Sequence, residues 1–151
     1  MLLGALEAGG TKMVLAVGNE NGEILDRASI PTETPEITVP RIIEYFKDKN
    51  IEALGIGSFG PVDLDKASKA YGHITSTPKL AWVDYDIVGE IKKELQVPVG
   101  FDTDVNAAAL GEATWGSIKG VPSGIYITVG TGVQLYLIVL SRLTRQRGFA
   151  Y

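Results

Sequence analysis

The chain contains no cysteine and only one histidine, His73, among its 151 residues. The absence of cysteine excludes disulfides and thiolate metal sites within this chain. His73 lies in a segment rich in glycine and threonine, where a single histidine is more often exposed to solvent than catalytic. We therefore assign it no role.

Long hydrophobic runs and an excess of positive charge are also lacking. No apolar run approaches the roughly 18–20 residues that a membrane span requires, and the first ten residues do not read as a signal peptide. The formal net charge of −4 disfavours binding to nucleic acid or to an acidic membrane. We expect a cytoplasmic protein with no nucleic-acid partner and no membrane partner.

What the sequence does contain is the pattern of one α/β domain with a mixed sheet, in the order βββαβαβαβ. Residues 60–84 show little periodicity and are interpreted as a loop. The first three strands form an antiparallel meander, and the turn at 9–12 is expected to need the positive φ of glycine. The predicted strands are 2–8, 13–19, 23–31, 51–59, 97–102 and 123–130, and the predicted helices are 35–50, 84–95 and 103–118.

Three glycine-bearing turns follow predicted strands: "EAGGTK" (7–12), "GSFGP" (57–61) and "GTG" (130–132). Glycine allows successive backbone N–H groups to approach an anion closely. Each turn alone is more often a plain turn, but three in one domain favour a cleft that handles phosphate. None fits the GxxxxGK[ST] or GxGxxG pattern, so a P-loop or a dinucleotide-binding fold is not supported.

Two carboxylates, Asp102 and Asp104, lie where a strand ends and an alanine-rich helix begins. Open α/β sheets bind ligands at this end of their strands, and a carboxylate there can accept a proton from a substrate hydroxyl. The helix dipole favours the ionised form of Asp104. The alternative is that both residues merely cap the helix, and spacing alone does not decide between the two.

Taken in order, these stretches resemble the ROK family of sugar kinases, and bacterial fructokinases most of all. "EAGGTK" is similar to the first phosphate motif, with Glu7 where many related kinases have Asp. "VPVGFDTDVNAAALGE" (97–112) is similar to the catalytic motif. The resemblance covers about residues 1–133, and its other motifs are "GIGSFGPVD" (55–63), "GHITSTPKLAW" (72–82) and "YITVGTGV" (126–133).

The resemblance implies an actin-like ATPase fold, related to ribonuclease H, and ATP-dependent phosphorylation of a hexose, most simply fructose to fructose 6-phosphate. Asp104 would act as the general base, with Mg²⁺ on the phosphates. The implied phosphate contacts are Gly9, Gly10, Thr11, Lys12, Gly130, Thr131 and Gly132. The implied sugar contacts are Gly60, Pro61, Thr77, Thr103 and Asp104.

The text after Val133 departs from the family. Residues 134–151 contain three arginines and no acid, whereas the family continues with glycines, a zinc site and a second lobe that holds adenosine. We interpret 1–133 as the N-terminal kinase lobe and 134–151 as a divergent tail, with the zinc site and second lobe absent. A frameshift after Val133 is our hypothesis for the change. Residues 135–140 are still expected to pair as a strand beside 125–130.

Two further functions compete with the kinase. The chain could be a catalytically inactive remnant or a sugar-binding module, because half of the ATP site is missing. A transcriptional repressor of the same family would carry a DNA-binding helix before this part, yet "EAGGTK" begins six residues after Met1. The preferred hexose and a homodimer are left open by the sequence.

Overall fold

The computed structural model describes residues 1–129 and 133–139. The chain forms two compact units, Met1–Asp104 and Val105–Tyr151. The helices are α1 (Pro35–Lys47), α2 (Ile87–Leu95) and α3 (Asp104–Thr114), with a short 3₁₀ helix at Leu80–Trp82. The strands are β1 (Leu2–Ala8), β2 (Lys12–Asn19), β3 (Ile24–Pro31), β4 (Ala53–Ser58), β5 (His73–Ile74), β6 (Tyr85–Asp86), β7 (Val99–Thr103), β8 (Ser123–Val129) and β9 (Val133–Val139).

The first unit is built on a five-stranded sheet in the order β3-β2-β1-β4-β7. The three strands of the meander are antiparallel, whereas β4 and β7 run parallel to β1. The parallel connections need crossovers, and α1 and α2 supply them. The predicted α/β class, the mixed sheet and the principal order of elements are confirmed.

One face of this sheet carries the core. Leu6, Ile56 and Phe101 share a cross-strand row, and they pack in one buried cluster with side chains of α1 and α2. Each fully buried side chain of this size contributes roughly 1.5–3 kcal/mol. The opposite face of the same three strands presents Ala5, Gly55 and Gly100 in another row, and all three are exposed.

The segment predicted as a featureless loop, 60–84, is more ordered than the sequence indicated. It contains β5, which pairs with β6, and the 3₁₀ helix. Two-residue strands leave no periodic signal in a sequence, which explains why they were missed. α2 begins at Ile87 rather than 84, because Asp84 has a left-handed φ of 56° and the Asp86 carboxylate caps the helix by accepting from Gly89 N at 2.7 Å.

The expected positive φ in the turn at 9–12 is wrong, since neither Gly9 nor Gly10 has one. Glycine is needed there for space. A Cβ at Gly9 would lie 2.5 Å from the main-chain oxygen of Lys12, whose carbonyl accepts from Gly9 N. In the next turn along the chain, between β2 and β3, Gly22 does adopt a positive φ of 83°.

The second unit contains most of α3 and a hairpin in which β8 pairs with β9, from Ser123 opposite Val139 to Val129 opposite Val133. The strand expected after Val133 is therefore present. α3 ends at Thr114 rather than 118, and Glu112 Oε2 accepts from Ser117 N at 2.8 Å in the turn that follows. The domain division at 133 and 134 stays a prediction. None of the helices in the described part of the chain is long and apolar enough to cross a membrane.

Candidate active site

The register of the sheet brings most of the predicted site residues to one edge. Ala8, Ser58 and Thr103 occupy a single row across β1, β4 and β7. Because these strands are parallel, the chain leaves all three at the same edge, which is where open α/β sheets bind ligands. The segments that start there hold the predicted residues Gly9, Gly10, Thr11, Gly60, Pro61, Thr103 and Asp104.

The turn between β1 and β2 has its carbonyl groups held from one side. Thr32 donates from its main-chain N to Thr11 O at 3.0 Å and from its Oγ1 to Gly9 O at 2.7 Å. Within residues 1–129 and 133–139, the N–H groups of Gly10 and Thr11 donate to no protein acceptor. Adjacent unengaged N–H groups are the basic element of an anion-binding nest. The turn is therefore suited to a phosphate oxygen.

Charged side chains lie near this turn on β1, β2 and β7. Lys12 begins β2 and is exposed. Glu7 and Asp102 share one row, with Gly57 between them on β4, so both carboxylates stand on the face opposite the core. In the described part of the chain, no three His, Cys, Asp or Glu side chains are grouped closely enough to hold a metal ion by themselves.

The loop after β4 is fixed to both of its neighbours. Phe59 N donates to Ala8 O at 2.7 Å, which ties the loop to the end of β1. The carbonyl of Pro61 accepts from Thr75 N at 2.8 Å and from Thr75 Oγ1 at 3.1 Å, and the Gly60–Pro61 peptide is cis. Pro61, one of the two predicted sugar contacts in this loop, is thus held in place by two hydrogen bonds from Thr75.

Thr77 and Trp82 belong to the next segment, which ends in the 3₁₀ helix. Thr77 is buried, and its Oγ1 accepts from Lys79 N at 3.3 Å. Trp82 is only 1% exposed, and its ring meets those of Phe59 and Tyr85 edge to face, with centroids 5.8 and 5.4 Å apart. Trp82 also lines an open cavity of about 320 Å³.

Asp104 is the first residue of α3 and is half-buried. The preceding Asp102 uses its Oδ1 to accept from Thr103 N at 2.8 Å. A carboxylate in the first turn of a helix is favoured in its ionised form by the helix dipole. Asp104 follows Thr103 directly and so lies at the edge that also carries the phosphate turn and the cis-proline loop. Its role as a base stays a prediction.

His73 is half-buried in β5 rather than exposed. Its Nδ1 is 3.0 Å from Asp84 O, and its Nε2 is 3.9 Å from Asp86 Oδ2. These contacts hold the β5–β6 pair and α2, and neither of them reaches a predicted site residue within residues 1–129. Nearby, a 2.6 Å hydrogen bond from Ser68 Oγ is the main cause that lowers the pKa of Asp63. This part of the chain has a structural role.

Sequence reasoning missed two residues at this edge. Thr32 lies 23 residues from Gly9 along the chain, and no local pattern links them. Lys79 lies within the motif "GHITSTPKLAW", which by itself indicates no role for it, although its Cε lies 3.4 Å from the position that a Cβ of Gly10 would occupy. The predicted Gly130, Thr131 and Gly132 lie outside the described residues.

Comparison with known proteins gives a consistent result. The ROK family matches residues 3–145. A fructokinase of Pediococcus pentosaceus is 51% identical over 133 residues, which are 88% of this chain and 46% of that protein. A fructokinase of Lactococcus lactis is 47% identical over 86% of this chain and 44% of its own length.

Among solved structures, a ROK family glucokinase of Streptomyces griseus, in complex with glucose and AMPPNP, superposes with a TM-score of 0.81 at 32% identity. The match covers 97% of this chain and 47% of the glucokinase. The expected fold of the kinase N-terminal lobe is confirmed. The chain spans about half the length of the relatives it matches.

Proposed function

The chain belongs to the ROK family, and we propose that it is part of a cytoplasmic, ATP-dependent sugar kinase that converts fructose to fructose 6-phosphate. The observation that carries the proposal is the row Ala8–Ser58–Thr103, which sets the predicted phosphate turn, sugar loop and base side by side. The identity of 47–51% to proteins named fructokinase supports fructose over glucose, since the Streptomyces coelicolor glucokinase is 32% identical.

In the proposed reaction Asp104 accepts the proton of a sugar hydroxyl as that oxygen attacks the terminal phosphoryl group of ATP. The N–H groups of Gly10 and Thr11, together with Lys12, receive the phosphate oxygens. Gly60, Pro61, Thr77 and Thr103 position the sugar. Gly130, Thr131 and Gly132 are proposed to contact phosphate as well.

A magnesium ion fits the residues present at this edge. Mg²⁺ is usually held by one or two carboxylates, by water and by the substrate's phosphates rather than by a full protein cage. Glu7 and Asp102, which share a row on one face of the sheet, could supply that small number of ligands. When bound, the ion would neutralise charge on the phosphates.

The second candidate is a catalytically inactive remnant or sugar-binding module. It is favoured by one observation, which is that Thr75 donates to the Pro61 carbonyl through both its main-chain N and its Oγ1 and so holds the predicted sugar loop in place. Under this alternative the cis-proline loop and Thr77 would still bind a sugar, but no phosphoryl group would be transferred.

A coupled assay with ATP, Mg²⁺ and fructose tests the proposal. It should be run on the chain alone and on the chain fused to the remaining half of the Pediococcus fructokinase. We expect turnover in the fusion, reduced about 10²–10⁴-fold by Asp104→Asn and unchanged by Asp65→Asn, an exposed carboxylate elsewhere in the first unit. If neither protein turns over while both bind fructose, the sugar-binding alternative holds. Turnover that survives Asp104→Asn would contradict the role of Asp104.

A further inference from the structure

Lys79 is a cation placed over the phosphate turn. A Cβ added to Gly10 would lie 3.4 Å from Lys79 Cε, the carbon that carries the ammonium group. The lysine side chain therefore extends over the side of Gly10 that carries no Cβ, and its ammonium nitrogen is bonded to the carbon that lies there. The N–H groups of Gly10 and Thr11 have no protein acceptor in the described part of the chain.

The backbone of Lys79 is held by contacts on both sides. Its N donates to the hydroxyl of the buried Thr77 at 3.3 Å, and its carbonyl accepts from Trp82 N at 2.8 Å. Trp82 is in turn buried and bonded to Glu33 O. A side chain that starts from a fixed backbone loses less conformational entropy when it binds a ligand. Lys79 is thus pre-positioned beside the turn.

In the part of the chain that the structure describes, no carboxylate pairs with the charge of Lys79. The carboxylate of Glu33, which lines the same cavity, pairs with Arg41 Nη1 at 2.6 Å. Among residues 1–129 and 133–139, no carboxylate oxygen lies within 4.0 Å of the Lys79 ammonium. A half-buried lysine of this kind is available to an anion from outside.

We propose that Lys79 contacts a phosphoryl group bound at the turn formed by Gly9, Gly10 and Thr11. The inference rests on the proposed function and extends it. Two backbone N–H groups and one ammonium group would surround the same phosphate oxygens, which is the combination that stabilises the charge of a transferring phosphoryl group. The phosphate could belong to the nucleotide or to the phosphorylated sugar, and the experiment separates these sources.

The alternative is that the lysine stem merely packs on apolar surface, as long cationic side chains often do. Lys79→Met separates the two roles, because methionine keeps an unbranched apolar side chain but removes the charge. Lys79→Arg keeps the charge, and Lys66→Met removes a charge from an exposed lysine elsewhere in the first unit. These three variants form a matched set.

The test is titration of the 151-residue chain with ADP, fructose 6-phosphate and inorganic phosphate, following the backbone amide signals of Gly10 and Thr11 by NMR. For the probes that bind, we expect Lys79→Met to weaken binding at least about tenfold, the loss of one charge-assisted hydrogen bond. Lys79→Arg should retain most of the affinity, and Lys66→Met should match wild type. An effect confined to ADP identifies the nucleotide's phosphate, one confined to fructose 6-phosphate identifies the sugar phosphate, and an effect on both identifies a shared position.

Two results would overturn the inference, and they differ in meaning. If Lys79→Met binds each probe as wild type does, Lys79 has no phosphate contact, while the phosphate turn and the proposed kinase both stand. If none of the three probes perturbs Gly10 and Thr11 in wild type, the turn does not bind phosphate and the role of Lys79 fails with it. The fusion assay with fructose then decides separately whether the proposed kinase survives.

Discussion

The indole N–H of Trp82 donates a 2.8 Å hydrogen bond to the main-chain carbonyl of Glu33. This bond joins the 3₁₀ helix to the segment after β3 that contains Thr32 and Glu33. Thr32 in turn holds the phosphate turn by donating to Gly9 O and Thr11 O. The Trp82 ring also meets Phe59, which precedes the cis-proline loop. One buried side chain therefore connects the predicted phosphate and sugar segments.

Trp82→Phe should destabilise the first unit by about 2 kcal/mol, because it leaves a void and removes the donor to the Glu33 carbonyl. The matched control is Trp115→Phe, since Trp115 is 56% exposed and should change stability by no more than about 0.5 kcal/mol. Urea denaturation measures both. Equal losses in the two variants would show that Trp82 does not connect these segments.

Gly9→Ala should weaken folding, whereas Gly10→Ala should weaken phosphate binding. A Cβ at Gly9 meets the Lys12 carbonyl oxygen at 2.5 Å, so we expect a loss of roughly 1–3 kcal/mol in unfolding free energy. A Cβ at Gly10 meets only the flexible Lys79 stem at 3.4 Å, so folding should be nearly unaffected while phosphate approach is hindered. Thermal unfolding and an ADP titration of each variant check the pair. A strongly destabilised Gly10→Ala would contradict this account of the turn.

Asp86→Ala should cost about 1 kcal/mol, because it removes the side-chain acceptor for Gly89 N at the start of α2. Asp86→Asn keeps an acceptor and should retain most of the stability. The comparison is made by chemical denaturation at neutral pH. If alanine and asparagine behave alike, the cap is not a source of stability.

The Asp26–Lys49 pair predicts a pH dependence. Lys49 Nζ lies 2.6 Å from Asp26 Oδ2, and this hydrogen bond is the main cause that lowers the pKa of Asp26 in the folded state. The lower folded pKa means that the pair stabilises the protein above the unfolded pKa of about 4, and that this contribution disappears as the pH falls through the folded value.

Asp26→Asn should therefore flatten the decline of unfolding free energy measured from about pH 5 down to pH 2. Lys49→Met should flatten it in the same way, because it removes the cause of the lowered pKa. A decline as steep as that of wild type in both variants would show that the pair does not act.

The strands and helices with a strong hydrophobic period could be predicted from the sequence. Leu6 alternates with its exposed neighbours Ala5 and Glu7, and Ile42 and Phe46 lie one helical turn apart, so their elements were placed nearly correctly. Helix ends were less accurate. The start of α2 depends on the left-handed φ of Asp84, which a non-glycine residue rarely adopts and which no pattern announces.

The site was predictable where its residues are contiguous and not where they meet through folding. "EAGGTK" and "FDTDVN" identify Gly10 and Asp104 from local text, because glycine turns and helix starts have local signals. Thr32 bonds to Thr11, 21 residues before it in the chain. Lys79 lies beside Gly10, 69 residues before it. Only the three-dimensional register of the strands and the packing of Trp82 reveal them.

The two hydrogen bonds that Thr32 donates have a consequence for ion selectivity. They occupy the carbonyl oxygens of Gly9 and Thr11, the groups through which a main-chain turn coordinates potassium or sodium. Each bond takes one of the two lone pairs of its carbonyl oxygen, so these oxygens have less capacity left to coordinate a cation. The turn should therefore bind potassium or sodium more weakly than a turn with unbonded carbonyls, and these ions should compete less for the space a phosphate oxygen needs.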